Sequence, residues 1–398
     1  MKVFIFDLLP YGKHFDQYKA SKYLPYPLPL DHYDREVAAR TYEEHLQAWE
    51  EMDKLGFDGV GLNEHHTTPH GLMNSPNMMA AVGAQRTKKL KFLMLGNLMP
   101  LHNPLRIAEE LAMADTLSRG RILSGFARGV PREYNVYGVP MAESRARFEE
   151  AVEIVMKAWT EPKFSYEGKY WSYKDVALWP RPVQRPHPPV MIPIVGSQES
   201  IEFAGRHNIG ITPGLAGGGL RDDIVRHYAK SLAAAGHRIT PDHLSLALNA
   251  YVADSKAQAV REVAPYHLYF NRTLFSHGSF TETAAQRKVG YVSQSSTDYV
   301  RPENQRAAAL LREDFRNMTM ADVERMAENL PWGTASEVAE RIIAQAEAAG
   351  ANTVQIGFNR GAMPHDMFMN QIRRFAAEVL PRLQAHKVET VPLVEEAA

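Results

Sequence analysis

Eight times along this chain a run of four to nine mostly apolar residues reads as a short buried strand: Val3–Leu8, Gly59–Leu62, Lys91–Leu95, Ile122–Gly125, Val190–Val195, Ile209–Thr212, Leu244–Val252 and Thr353–Phe358. Most are followed by residues with helical spacing of their apolar positions. The predicted helices are Tyr42–Leu55, Ser75–Arg86, Pro104–Leu117, Glu143–Trp159, Ser200–Arg206, Leu220–Ala235 and His365–Leu380. A further helix opens near Trp332, with Thr334 as its N-cap. In the first helix Leu46, Trp49, Met52 and Leu55 fall three or four apart, and Gly56 ends it. Strand and helix in alternation require a parallel sheet, because parallel neighbours need crossover connections. An eight-stranded α/β barrel, the (β/α)8 or TIM barrel, is the leading architecture. A doubly wound open sheet is the alternative; it calls for a Gly-x-Gly-x-x-Gly turn after an early strand, and the sequence has none.

No internal repeat or domain boundary is visible, so residues 1–398 are expected to form a single barrel domain with two insertions. One, about 11–34, follows the first strand and is rich in Tyr, Pro and Lys, which precludes regular structure. The other, about 265–330, follows the seventh strand. It is polar and weakly periodic, with helices expected only at Asn304–Phe315 and Met320–Asn329, and it is the candidate for a mobile lid. Phe164–Trp171 reads as a hairpin with a Glu-Gly turn, and the tail after Lys387 is expected to be loose.

Composition excludes several classes of function. Formal net charge is -1 with no basic block, so nothing favours nucleic acid or an anionic membrane. There is no cysteine, which removes disulfides, thiolate nucleophiles and thiolate metal sites. The N-terminus enters a strand without a signal-peptide layout, and no apolar run reaches the ~18 residues of a spanning helix. A cytoplasmic location is the expectation.

Parallel α/β folds place their chemistry at the C-terminal ends of strands. After the second strand stand Glu64, His65 and His66. They could ligate a metal, but three adjacent loop residues rarely face one ion, and His70 and His102 look isolated, so no metal is expected. The second reading is a neutral imidazole beside a cofactor; the third is loop histidines without chemistry. Arg128 follows the fourth strand and can grip a phosphate with two donors, or pair with a carboxylate. After the fifth strand, Gly196-Ser197-Gln198-Glu199-Ser200 offers backbone N–H groups, small residues and hydroxyls at a helix start. That is an anion cradle or an ordinary Ser-capped helix; Glu199 suits a phosphate only if it points away. At the end of the third strand, Leu95-Gly96-Asn97 could lie flat against a ring, or mark a bend in the rim.

Taken together these residues resemble the bacterial-luciferase-like flavin monooxygenases over nearly the whole chain. The carriers are Gly56 to His66, Pro100-Leu101-His102-Asn103-Pro104-Leu105-Arg106, Leu117 to Gly129, Ser144-Arg145, Gly333 to Glu337, and Gly357-Phe358. The resemblance implies a TIM barrel that binds reduced FMN (FMNH2) at its C-terminal face. It assigns the phosphate to Arg128, with Arg145 in support and Gly196, Ser197 and Ser200 in the contacting loop. It implies a non-proline cis peptide at Leu95-Gly96, beside Asn97, under the flavin ring. His65 matches the active-site histidine, with Glu64 and His66 positioning it. The implied activity is that of a two-component monooxygenase. A separate NAD(P)H:flavin reductase supplies FMNH2, O2 forms a C4a-(hydro)peroxyflavin, and a small or medium organic substrate is oxygenated. F420-dependent hydride transfer on the same fold, and a non-catalytic flavin-binding relative, are the alternatives. Ala127 stands where luciferase has a reactive cysteine. The resemblance also implies a homodimer through Ser75–Arg86 and Pro104–Leu117, with Met78, Met79, Ala108, Ala112 and Met113 as its seam.

Overall fold

The computed structural model describes residues 1–16, 24–213, 218–278, 291, 293, 295–310 and 315–392. Lys2–Asp7 (β1) pairs in parallel with Gly59–Leu62 (β2), which pairs with Lys91–Met94 (β3). The ladder continues through Ile122–Ala127 (β4), Val190–Ile194 (β5) and Gly210–Pro213 (β6). On the other side β1 pairs with Thr353–Gly357 (β8), which pairs with Ser245–Asn249 (β7). A parallel bridge, Ile211 to Leu244, joins the two ends. The result is a nearly closed eight-stranded parallel barrel, as expected from a (β/α)8 fold. In a ring ordered β7-β8-β1-β2-β3-β4-β5-β6, β4 and β8 stand on opposite sides.

The outer helices are Arg35–Leu55 (α1), Pro76–Arg86 (α2), Pro104–Ser118 (α3), Ser144–Thr160 (α4), Gln198–Arg206 (α5), Gly218–Ala234 (α6), Ala335–Ala349 (α7) and His365–Glu378 (α8). Helix α1 starts earlier than the apolar spacing predicts. Asp34 caps it by accepting from the backbone N–H groups of Glu36 and Val37, and Val37, Ala38 and Thr41 extend its buried face. Thr334 caps α7 as expected. Helix α1 is tied to β1 by the buried Asp7 carboxylate, which accepts from His45 Nδ1 and Trp49 Nε1, each at 2.7 Å. Trp49, Phe92 and Trp159 are fully buried between barrel and helices. Phe164–Glu167 pairs antiparallel with Ser172–Val176, so the hairpin is longer than predicted.

The two insertions pack against each other. Tyr11, Phe15 and Leu24 are buried with Phe270 and Leu274 in a second apolar cluster. The stretch expected to be irregular from residue 265 is helical at first. The helix Lys256–Tyr269 passes through Pro265 and runs into a π-helical segment, Phe270–Phe275. Continuous burial of one face, including Val263, Leu268, Phe270 and Leu274, holds it in place. Residues 279–290, much of the proposed lid, lie outside the described residues, as do 17–23 of the first insertion and Gly217. Among the described residues no helix is long and apolar enough to cross a membrane.

Candidate active site

A cavity of about 360 Å³ opens at the C-terminal ends of the strands, within the usual range for ligand pockets of about 300–1,000 Å³. Of the sequence-derived candidates, Glu64, His65, Leu95, Gly96, Arg128, Ser197 and Ser200 line it. His66, Asn97, Arg145 and Gly196 do not; His66, Arg145 and Gly196 take supporting places around it, and Asn97 only pairs its backbone with Phe126 of β4.

His65 is held on both sides of its loop. Its backbone N–H donates to Met73 O at 3.1 Å, and Asn74 Nδ2 donates to its carbonyl at 2.8 Å. Its Nδ1 lies 3.0 Å from Oε1 of Glu133, a residue buried to 2% exposure. Glu133 belongs to the helix Pro131–Tyr137, and its Oε2 accepts from the Val130 N–H at 2.7 Å. A carboxylate can only accept, so the proton sits on Nδ1 and Nε2 is left as the acceptor. Sequence reasoning missed Glu133. The available signal was an acid at the third position of a Pro-led helix, where it caps the N-terminus.

Glu64 is buried and fully engaged. Its Oε1 accepts from His66 Nε2 at 2.7 Å and His102 Nε2 at 2.5 Å, and its Oε2 accepts from the Leu98 N–H at 3.0 Å. Burial would raise its carboxyl, but the two imidazoles outweigh that and hold it below the ordinary range. Burial would lower His102, but Glu64 outweighs that too, and His102 is raised. His66 also bonds Tyr137 through Nδ1 at 2.9 Å, so both its nitrogens are spent away from the cavity. His102 is therefore not isolated, as its sequence position implied. The ligating atoms of Glu64, His66 and His102 lie within 4.8 Å of one another, a grouping that local spacing conceals. His70 is not isolated either; its ring lies 4.5 Å from that of His65.

Across the cavity Arg128 stacks on the Tyr291 ring, 4.8 Å from its centroid, and its Nη1 donates to Tyr291 O at 3.2 Å. The hydroxyl of Tyr134 bridges the Arg128 carbonyl and Ser144 Oγ. Gly196 adopts φ +95°, a conformation that favours glycine, and turns the chain into α5, whose N-cap is Ser197. Arg145 donates to Ser197 Oγ at 3.1 Å and pairs with Glu199 at 3.2 Å. Glu199 also accepts from Ser197 and Ser293. Burial would raise its carboxyl, but these donors and Arg145 hold it low. Glu199 is thus neutralised, Arg145 is occupied, and Arg128, at this end of the cavity, has no carboxylate partner among the described residues.

The Leu95–Gly96 peptide is cis, as the resemblance implies. A Cβ on Gly96 would sit 2.8 Å from the backbone of Gly125 and Phe126, so only glycine lets the chain pass this close to β4 where it lines the cavity. These residues fit a flavin mononucleotide. A guanidinium without a carboxylate partner among the described residues and a hydroxyl-bearing helix start suit the phosphate. A side-chain-free strand end suits the ring, and a histidine with an unused nitrogen lines the same cavity.

A profile of the luciferase-like monooxygenase family matches residues 25–353. The uncharacterized protein y4wF of Sinorhizobium fredii is 41% identical over 166 residues, which is 41% of this chain and about half (48%) of that protein's length. The oxygenase component of a flavin-dependent trigonelline monooxygenase from Acinetobacter baylyi is 24% identical over 89% of this chain and 94% of that one. In fold the chain is similar to the oxygenating constituent of 3,6-diketocamphane monooxygenase from Pseudomonas putida, solved with FMN. The TM-score is 0.72 at 20% identity, covering 96% of this chain and 98% of that one. With its barrel, its strand-end cavity and a profile match over most of its length, the chain belongs to the luciferase-like monooxygenase family.

Proposed function

We propose that this protein is the oxygenase component of a two-component monooxygenase that uses reduced FMN and O2 to oxygenate a small or medium organic substrate. A separate NAD(P)H:flavin reductase supplies the FMNH2. The observation that carries the reading is the pairing, in one cavity, of an Arg128 without a carboxylate partner and a His65 with a free Nε2, both among the described residues.

Reduced FMN, when bound, supplies the oxygen-activating chemistry. Arg128, Ser197 and Ser200 hold its phosphate by charge and hydroxyl donors, and Arg145 positions Ser197. Gly96 lets a planar ring approach the backbone. His65, fixed in one tautomer by Glu133, accepts or delivers a proton at Nε2. Glu64 and His66 hold the loop that carries it. Apolar lining from Leu8, Ile192, Phe270 and Phe275 keeps water out.

A homodimer through α2 and α3 belongs to the same reading. Met78, Val82, Met113 and Leu117 are exposed large apolar side chains on these helices. Ala108 and Ala112, expected in the seam, are instead fully buried against the protein's own core. The dimer face is therefore built from Met78, Val82, Met113 and Leu117.

Titration with FMNH2 and with reduced F420 under anaerobic conditions tests the cofactor. An oxygen pulse and a substrate screen for diminished H2O2 release then test the reaction. Tight FMNH2 binding with substrate-dependent loss of H2O2 is expected. Preference for F420 without oxygen uptake, or flavin binding without oxygen uptake, would overturn the reading.

A further inference from the structure

Arg360 follows β8 and lines the cavity on the side of the barrel opposite Arg128. Its Nε is shut off from solvent and has no hydrogen-bond partner. The guanidinium lies over the Phe270 ring, 4.9 Å from its centroid. Among the described residues no carboxylate pairs with it. Burial alone pulls it down, to about 10, and no acid offsets this. It stays cationic at neutral pH without a counter-ion among the described residues.

His70 stands beside it, 1% exposed, and both its ring nitrogens lack partners. Burial and the nearby His65 and Arg360 push His70 well below its ordinary range, so it is neutral, with one N–H and one lone pair unused. Its ring centroid is 5.3 Å from that of Phe270 and 5.4 Å from that of Phe275. Glu64, the acid that lines the cavity nearby, has both oxygens occupied by His66, His102 and the Leu98 N–H. The compartment therefore has flat apolar walls, one unpaired cation and one neutral donor–acceptor. A buried cation retained without a partner is a feature that a ligand's charge completes.

We propose that Arg360 is the carboxylate-binding residue of a substrate subsite. The substrate is a small carboxylic acid with a planar apolar body held between Phe270, Phe275 and His70, its reacting end toward His65. This rests on the flavin monooxygenase reading for which ligand is substrate and which cofactor. The phosphate grip at Arg128 lies on the far side of the ring of strands, so one cofactor phosphate does not answer both arginines.

The test uses the full-length protein and two isosteric probes, benzoate and benzamide. Binding is measured by calorimetry with saturating FMN, and again without FMN in excess inorganic phosphate to occupy Arg128. Wild type is expected to bind benzoate about tenfold or more tightly than benzamide, as a charge-assisted pair requires. Arg360→Met should abolish that preference and leave FMN affinity within about twofold, while Arg360→Lys, a second variant should the first fold poorly, keeps part of the preference. Equal affinity for the two probes, absence of binding by either, or benzoate binding that survives Arg360→Met would overturn the proposal. A parallel loss of FMN affinity in Arg360→Met would assign the residue to the cofactor and also overturn it. Failure of wild type to bind FMN would defeat the flavin reading instead, and the probe ratio measured in phosphate would still decide the role of Arg360.

Discussion

Oε1 of Glu133 lies 3.0 Å from Nδ1 of His65, across 68 residues of sequence. The same carboxylate caps its own helix through the Val130 N–H. One side chain therefore fixes both the helix that follows Arg128 and the tautomer of the histidine that faces the cavity.

Glu133→Gln should keep the cap and lose the tautomer, because an amide can either donate or accept. ¹⁵N spectra of His65 are expected to change from an Nδ1–H to a mixed pattern. Turnover coupled to substrate should fall by about tenfold or more while FMN affinity holds. An unchanged His65 spectrum would remove Glu133 from this role. His65→Ala should also keep flavin binding and lose most coupled turnover, releasing H2O2 instead.

Arg128→Met should weaken FMN binding by about tenfold to a hundredfold. Arg145→Met should weaken it less, because Arg145 already spends its charge on Glu199 at 3.2 Å. Fluorescence titration with FMN measures both. Equal losses would show that Glu199 does not shield the phosphate grip.

The Glu64–His102 pair makes stability depend on pH in a defined window. His102 is raised above 6.5, so its contribution is present below its unfolded value and lost as pH rises through its folded value. Glu64 is lowered below 4.5, so its contribution is present above its unfolded value and lost as pH falls through its folded value. The two overlap between 4.5 and 6.5. His102→Gln keeps a donor and removes the charge, so it should cost about 1–2 kcal/mol in that window and less at pH 8. Thermal melts across pH measure this; a pH-independent cost would mean that His102 is neutral in the folded protein.

Met113→Glu should convert the proposed dimer to a monomer, since it puts a charge among the exposed apolar side chains of α2 and α3, Met78 at 68% exposure included. Light scattering during size exclusion reads the mass directly. An unchanged dimer would move the interface elsewhere.

The barrel was legible because its signals are local. Leu46, Trp49 and Met52 mark one face of a helix by spacing alone, and Glu64-His65-His66 announces a strand end by contrast with the apolar Gly59–Leu62 before it. Arg128 and Ser197 were legible for the same reason. Glu133, His102, His70 and Arg360 were not, because each gains its meaning from a partner or a void that exists only after the strands close into a ring. The start of α1 was missed because Asp34 sits directly after a proline-rich stretch, which masks its capping role. Ala108 and Ala112 misled the dimer prediction: small residues on a helix suit a seam and a tight barrel contact equally well.

Tyr11, Phe15 and Leu24 pack on the same Phe270 and Leu274 that back the cavity wall. The two insertions are thus one structural part made from two distant pieces of chain, and through Tyr291, which meets Arg128, the second piece also reaches the other end of the cavity. Anyone grafting a relative's substrate preference onto this barrel would have to transplant both pieces as a matched set, and keep a Tyr291 equivalent against Arg128 in doing so.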